Sequence, residues 1–165
     1  MQVSQNGIDL IKEYEGFKSK SYLCPAGIWT IGYGTTRIGN NPVKKGMSCT
    51  REEAENWLKQ DVIVFLNGIE SAVNSSIKLN QNQVDSLVSF VYNIGIGNFK
   101  KSTLLKYIND GFFVLAKNEF KRWNKGGGKV LPGLVARRAK EAELFSSTDN
   151  LTSAVETTAG NEFFA

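Results

Sequence analysis

The chain has 165 residues, 41% hydrophobic and 22% charged, which suits one globular domain with a substantial core, and no apolar run approaches the length of a membrane span. It has no histidine and two cysteines, Cys24 and Cys49, so a zinc centre, a disulfide framework and the Ser-His-Asp and Cys-His nucleophile systems all lack components. The formal charge is +4, but all 20 basic residues lie in residues 1–146 with only 13 acids, so that body carries +7 and favours a polyanionic partner: nucleic acid, an anionic membrane or an acidic cell-wall polymer.

The N-terminus "MQVSQNGIDLIKEYEG" has no basic stretch followed by an apolar run, so no cleavable signal is expected and the chain is expected to fold in the cytoplasm. Ser4 is placed to cap a short helix carrying Ile8, Ile11 and Tyr14 on one face, and Gly16 stops it, which leaves Glu15 at the helix end. From Phe17 to about Met47, short aromatic and β-branched stretches broken by "PAG", "GYG", "IGNNP" and "KKG" predict a small antiparallel sheet. Thr50 and Glu53 form a capping-box pattern opening a long helix with Ala54, Trp57, Leu58, Val62, Phe65, Ile69 and Val73 along one face. Asn80 and Gln83 repeat that pattern for a second helix with Val84, Leu87, Val88, Val91 and Ile94 inward, ended by Gly95 and Gly97. Two shorter helices are expected near Ser102 to Asn109 and Phe112 to Trp123, then a flexible "NKGGGKV" connection and a last helix from Pro132 through Phe145. The tail over 147–165, rich in small polar residues, reads as mobile or loosely docked.

Without imidazole, proton transfer falls to a carboxylate, lysine, tyrosine or thiol. Glu15, held partly out of water beside a glycine turn and aromatic residues, is suited to general-acid work, although an arbitrary glutamate at a helix end is usually solvated. Cys24 alone reads as a small buried hydrophobe and Thr30 as a strand residue. Their joint spacing is more specific: Glu15, nine residues to Cys24, six more to Thr30, then "IGYG", where a helix runs into a hairpin.

This stretch, "YEGFKSKSYLCPAGIWTIGYG", resembles the phage-type lysozymes of glycoside hydrolase family 24, whose members carry a Glu-Asp/Cys-Thr triad at this spacing. The resemblance extends to "QVDSLVSFVYNIGIGNFKKSTLLKYIN" and "GLVARRAKEAELF" and covers about residues 4–146, with the nearer likeness to lambdoid-phage endolysins. It implies an α+β, lysozyme-like fold: a small antiparallel hairpin lobe over about 13–48, a larger helical lobe over about 50–146, and a long helix joining them, all within one domain, 1–146.

By the same resemblance Glu15 protonates the glycosidic oxygen while Cys24 and Thr30, across the cleft, position the attacking water, with inversion and flanking groups roughly 6.5–9.5 Å apart. Most relatives have aspartate where this chain has Cys24. A thiol of ordinary pKa, about 8.5, is mostly protonated at neutral pH, so as a base it needs help from its surroundings; a covalent thioglycoside route ranks second. Arg137 is implied to return from the last helix to Glu15, against the usual solvated fate of an Arg137–Arg138 pair, and Tyr22 and Asn93 are implied sugar contacts. Many relatives place histidine after the "GYG" turn, where this chain has Thr35, so their ion pair there cannot form. In some relatives a second cysteine locks the catalytic one, which makes a Cys24–Cys49 disulfide a further possibility.

The implied substrate is peptidoglycan, cut between N-acetylmuramic acid and N-acetylglucosamine. No cofactor and no metal are implied. The expected setting is a monomer that stays in the host cytoplasm without membrane insertion until a phage holin gives access to the wall. The rivals are a lytic transglycosylase, which leaves anhydromuramic ends, and a wall-binding module without turnover. A nucleic-acid-binding module suits the charge but lacks any recognised binding motif.

Overall fold

A computed structural model describes residues 1–147, so the tail expected to be mobile lies, from residue 148 onward, outside the described residues. The first helix, α1 (Gln5–Glu15), ends as anticipated at Gly16, whose φ of +67° is a conformation that L side chains avoid. Ser4 occupies the N-cap position, yet its side chain caps nothing. Its hydroxyl and its N–H both donate to the Asp85 carboxylate, the latter at 2.8 Å. The start of α1 is thereby tied to a helix some eighty residues away, a use of serine that local sequence cannot distinguish from capping.

The sheet expected between Phe17 and Met47 resolves into two hairpins. Strands β1 (Lys18–Leu23) and β2 (Trp29–Gly32) pair antiparallel with an irregularity between Lys18 and Tyr22, and β3 (Arg37–Ile38) pairs with β4 (Asn41–Pro42). Single bridges, Lys20 to Ser48 and Ile31 to Thr35, join the pieces. Positive-φ glycines at Gly27, Gly32, Gly34 and Gly39 turn the chain too often for longer strands.

Helix α2 (Arg51–Ala72) carries the full Thr50–Glu53 capping box and buries Ala54, Leu58, Val62, Leu66 and Ile69. Leu66 replaces two residues expected on this face, since Trp57 and Phe65 are only partly covered. Helix α3 (Gln81–Ile94) carries the Asn80–Gln83 box and is enclosed all round: Asn82 through Val91 are buried, including Phe90, Asp85, Ser86 and Ser89. It packs against α1, α2 and the last helix, which is why its polar positions are buried as well as its apolar stripe. Ile94, expected inward, is half-covered.

Gly95 ends α3, but Gly97 lies inside a further short helix, α4 (Ile96–Lys101), that the glycine pattern conceals. Then come α5 (Thr103–Asn109), capped by the Ser102 hydroxyl, and α6 (Phe113–Glu119), which tightens into a 3-10 turn at Phe120–Arg122. The run expected to be a flexible connection is instead a hairpin, β5 (Lys125–Gly126) with β6 (Lys129–Val130), because Gly127 and Gly128 take φ of +58° and +79° at consecutive turn positions. Helix α7 (Pro132–Ser146) starts on proline as anticipated. Phe90, Phe120 and Phe145 form its aromatic seam with α3, ring centroids 5.0 Å and 5.5 Å apart along the series.

The architecture is α+β, with a hairpin lobe, a long helix and a helical lobe. No helix among the described residues is long and apolar enough to cross a membrane. Asp85, fully buried, accepts from Ser4 twice and from Gln81 Nε2 at 2.9 Å, so Asp85→Ala leaves the half-buried Ser4 N–H and hydroxyl without that acceptor. Chemical denaturation should show a loss of about 2–3 kcal/mol with the denaturant slope unchanged.

Candidate active site

Glu15 is delivered by the last turn of α1, with 21% of its side chain exposed. Arg137 Nη1 donates to Glu15 Oε1 at 2.8 Å, so the expected contact from the last helix is present. The arginine is held in turn by the Ser89 carbonyl, which accepts from Nη2 at 3.0 Å, and by the Ser89 hydroxyl, which accepts from Nε at 3.4 Å. The other carboxylate oxygen faces Gly34: a Cβ built there would lie 2.8 Å from Oε2 and 3.6 Å from Tyr92 Cε1. Tyr92 closes the arrangement by donating from Oη to the Tyr33 carbonyl at 2.6 Å. Burial, with the Glu15 and Asp61 charges nearby, pushes the Tyr92 phenol well above its ordinary pKa, so it stays a neutral donor.

The β1–β2 hairpin places Tyr22 opposite Thr30 in register and turns at Cys24 to Gly27, where Cys24 N–H donates to Ile28 O at 3.0 Å and Gly27 N–H to Cys24 O at 2.8 Å. The Cys24 thiol pKa is lowered, chiefly by the Ile28 backbone, with the Ala26 backbone and the Thr30 side chain adding to it and burial opposing. Cys24 and Thr30 therefore lie together at this hairpin. The Tyr22 phenol is raised by burial first, then by the charges of Glu15 and Cys24. Cys49 differs: burial and Glu53 raise its pKa, and both cysteines are free thiols, so a Cys24–Cys49 lock is not formed in this structure.

Arg137 and Arg138, read locally as a solvated pair, are 3% and 1% exposed. Glu141, fully buried, lies between them: Arg138 Nε donates to its Oε1 at 2.8 Å and Arg138 Nη2 to its Oε2 at 3.3 Å, with Arg137 Nε 3.7 Å from Oε1. Burial raises the Glu141 pKa while both guanidiniums oppose it. Arg138 Nη1 also donates to Asn93 Oδ1 at 3.0 Å. Sequence reasoning missed Glu141, Ser89, Gly34 and Tyr92; the only local signal was Glu141 three and four residues after the arginine pair, the spacing of helical neighbours.

Beyond Gly34 the cleft continues as a cavity of about 450 Å³ lined by Arg37, Trp57, Asp61, Phe65 and Tyr92 among others. Here Thr35, fully buried, donates weakly to Asp61 Oδ2 at 3.5 Å. Burial raises the Asp61 carboxyl to about 6, against the Thr35 hydrogen bond. Among the described residues no cluster of His, Cys, Asp or Glu could hold a metal ion.

A hairpin lobe and a helical lobe on either side of a long helix, with an arginine-anchored glutamate at the end of the first helix, define a lysozyme-like protein. The chain belongs to the phage lysozyme family, whose profile matches residues 12–141. It is 48% identical over 149 residues to an endolysin of Bacillus phage PZA, covering 89% of this chain and 56% of that protein. To an endolysin of Bacillus phage B103 it is 42% identical over 159 residues, covering 95% of this chain and 59% of that one. The chain thus spans between half and two thirds of the length of these two relatives. Among solved structures, an endolysin from Escherichia coli O157:H7 phage FAHEc1 matches with a TM-score of 0.81 at 41% identity, covering 89% of this chain and 94% of that one.

Two outcomes test this geometry. Gly34→Ala drives a methyl into the Glu15 carboxylate at a φ of +84°, so any catalysis that depends on Glu15 should fall about a hundredfold, beyond what any loss of folded protein explains. Between about pH 4 and pH 6 folded Asp61 holds a proton that the unfolded chain has lost, so its contribution to stability is present at low pH and lost as pH rises through 6. Asp61→Asn should flatten that slope and melt higher than wild type above pH 6, by about 1–2 kcal/mol after discounting for solvent screening.

Proposed function

We propose that the protein is an endolysin muramidase that hydrolyses the β-1,4 bond between N-acetylmuramic acid and N-acetylglucosamine in bacterial peptidoglycan, with inversion at the anomeric carbon. The observation that carries this reading is the anchored Glu15 carboxyl: one oxygen is held by Arg137 and the other is packed against Gly34, beside the hairpin that bears Cys24 and Thr30. With Oε1 engaged, Oε2 is the atom to carry the proton given to the leaving glycosidic oxygen. The Cys24 thiolate, favoured by its backbone donors, takes a proton from water, and Thr30 beside it orients that water on the opposite sugar face. Tyr22 and Asn93 bind sugar, and Arg137 keeps the acid in place rather than reacting.

The 1–146 body acts as one two-lobed domain whose +7 charge draws it to the carboxylates of the wall, an attraction that salt weakens. In biological terms this is host lysis and phage release: a monomer without cofactor, reaching the wall from the host cytoplasm through a separate holin.

The test is turbidity clearing of outer-membrane-permeabilised Gram-negative cells, with released muropeptides analysed by mass and by the anomer first formed. Wild type should clear and leave reducing ends of inverted configuration. Glu15→Gln and Cys24→Ser should each lose about 10²–10⁴-fold at unchanged melting temperature. Retained configuration would favour a thioglycoside on Cys24, and anhydromuramic ends a lytic transglycosylase. Full activity in Cys24→Ser would reduce Cys24 to packing, while wall binding without clearing by the wild type would leave only a binding module.

A further inference from the structure

Among the described residues Arg138 forms no hydrogen bond or ion pair with Glu15, yet it is among the most deeply buried side chains. Its guanidinium plane is set on three sides: Glu141 takes Nε and Nη2 as a fork, Phe90 lies under it with the ring centroid 5.0 Å from Cζ, and the Trp123 carbonyl accepts from Nη1 at 3.4 Å. The remaining direction of Nη1 is toward Asn93 Oδ1, 3.0 Å away. A guanidinium only donates, so the amide atom facing it must be the oxygen, and the orientation of the Asn93 carboxamide follows from chemistry. Asn93 is exposed, and its Nδ2 has no partner among the described residues. It stands next in sequence to Tyr92, which flanks Gly34 and so the Glu15 carboxylate.

We infer that Arg138 is a positioning residue that locks Asn93 as a one-way hydrogen-bond donor, so that this wall of the cleft selects an acceptor oxygen on the glycan, such as an acetamido carbonyl, over an N–H donor. The inference rests on the peptidoglycan reading above and deepens it. A free asparagine presents either its oxygen or its NH₂ and gives little discrimination. One whose oxygen is held facing a buried cation turns its NH₂ outward, and a sugar N–H placed there would meet a second donor.

Asn93→Asp is the discriminating change: it is isosteric, keeps an oxygen for Arg138, and replaces the outward donor with an acceptor. The full chain carrying Glu15→Gln, which binds without turnover, is titrated calorimetrically with purified uncross-linked glycan strands, with and without Asn93→Asp. The expected result is a Kd raised about 10–100-fold by two acceptors facing each other, with a melting temperature equal to or above that of the parent. In otherwise wild-type protein the same change should raise KM by a similar factor and leave kcat within about threefold. Arg138→Lys, which loses the fork, should also raise KM, and its effect should vanish in an Asn93→Ala background, where there is no amide left to orient.

An unchanged Kd in Asn93→Asp overturns the proposal, whether or not Arg138→Lys folds. So does an Arg138→Lys protein that melts lower but keeps its KM, since that marks the arginine as structural only. Strands that bind, and wild type that cleaves them, with Asn93→Asp indistinguishable from its parent, remove this inference alone. Strands that bind without being cleaved by wild type remove the muramidase reading alone, and strands that do not bind remove both.

Discussion

The site depends on one buried carboxylate. Glu141, on the inner face of α7, holds Arg138 in a fork and lies 3.7 Å from Arg137; Arg137 reaches Glu15 and Arg138 reaches Asn93. Two cations and two acids thus occupy a volume from which water is largely excluded, and the arrangement stands because each charge faces an opposite one and the leftover donors find the Ser89 and Trp123 carbonyls. Such a set adds little net stability over a well-packed apolar core, because desolvation offsets most of the Coulombic gain. What it supplies is direction. Removing Glu141 would take the fork from Arg138 and leave two guanidiniums in a dry interior with only Glu15 to balance them.

The surrounding packing serves that direction. Helix α3 is enclosed between α1, α2 and α7, so its polar residues work inward as well as its apolar ones. Asp85 near its start receives Ser4 and ties down the beginning of α1, Ser89 in its middle receives Arg137, and Asn93 near its end receives Arg138. Glu15 is therefore positioned from both ends of its own helix: at one by the Ser4–Asp85 contact, at the other by Arg137.

In the β1–β2 hairpin the environment of Cys24 is set by a turn rather than by buried charge. Backbone groups of Ile28 and Ala26 converge on the Cys24 sulfur and lower its pKa. Cys49, with the same side chain on a different segment, has Glu53 nearby and is raised. The contrast separates the two thiols by environment alone.

Much of this was legible locally. Both capping boxes, Thr50–Glu53 and Asn80–Gln83, stand as read because a cap is a contact between residues three apart. Gly16 as a helix stop and Pro132 as a helix start are equally local. The spacing of Glu15, Cys24 and Thr30 read as one site through its resemblance to the phage-type lysozymes. Local reading went wrong where neighbours decide: Gly97 sits inside a helix, the "GGG" run turns a hairpin, and Ser4 serves Asp85 instead of its own helix. The sequence by itself determined most of the elements and the ends set by caps, Gly16 and Pro132, since these follow from backbone preferences over a few residues. Only the tertiary structure decided that Arg137, Arg138 and Glu141 are interior, that Gly34 abuts Glu15, and that Asn93 presents one face, because each depends on segments fifteen to more than a hundred residues apart meeting in a volume too dry to leave a charge or a donor unpaired.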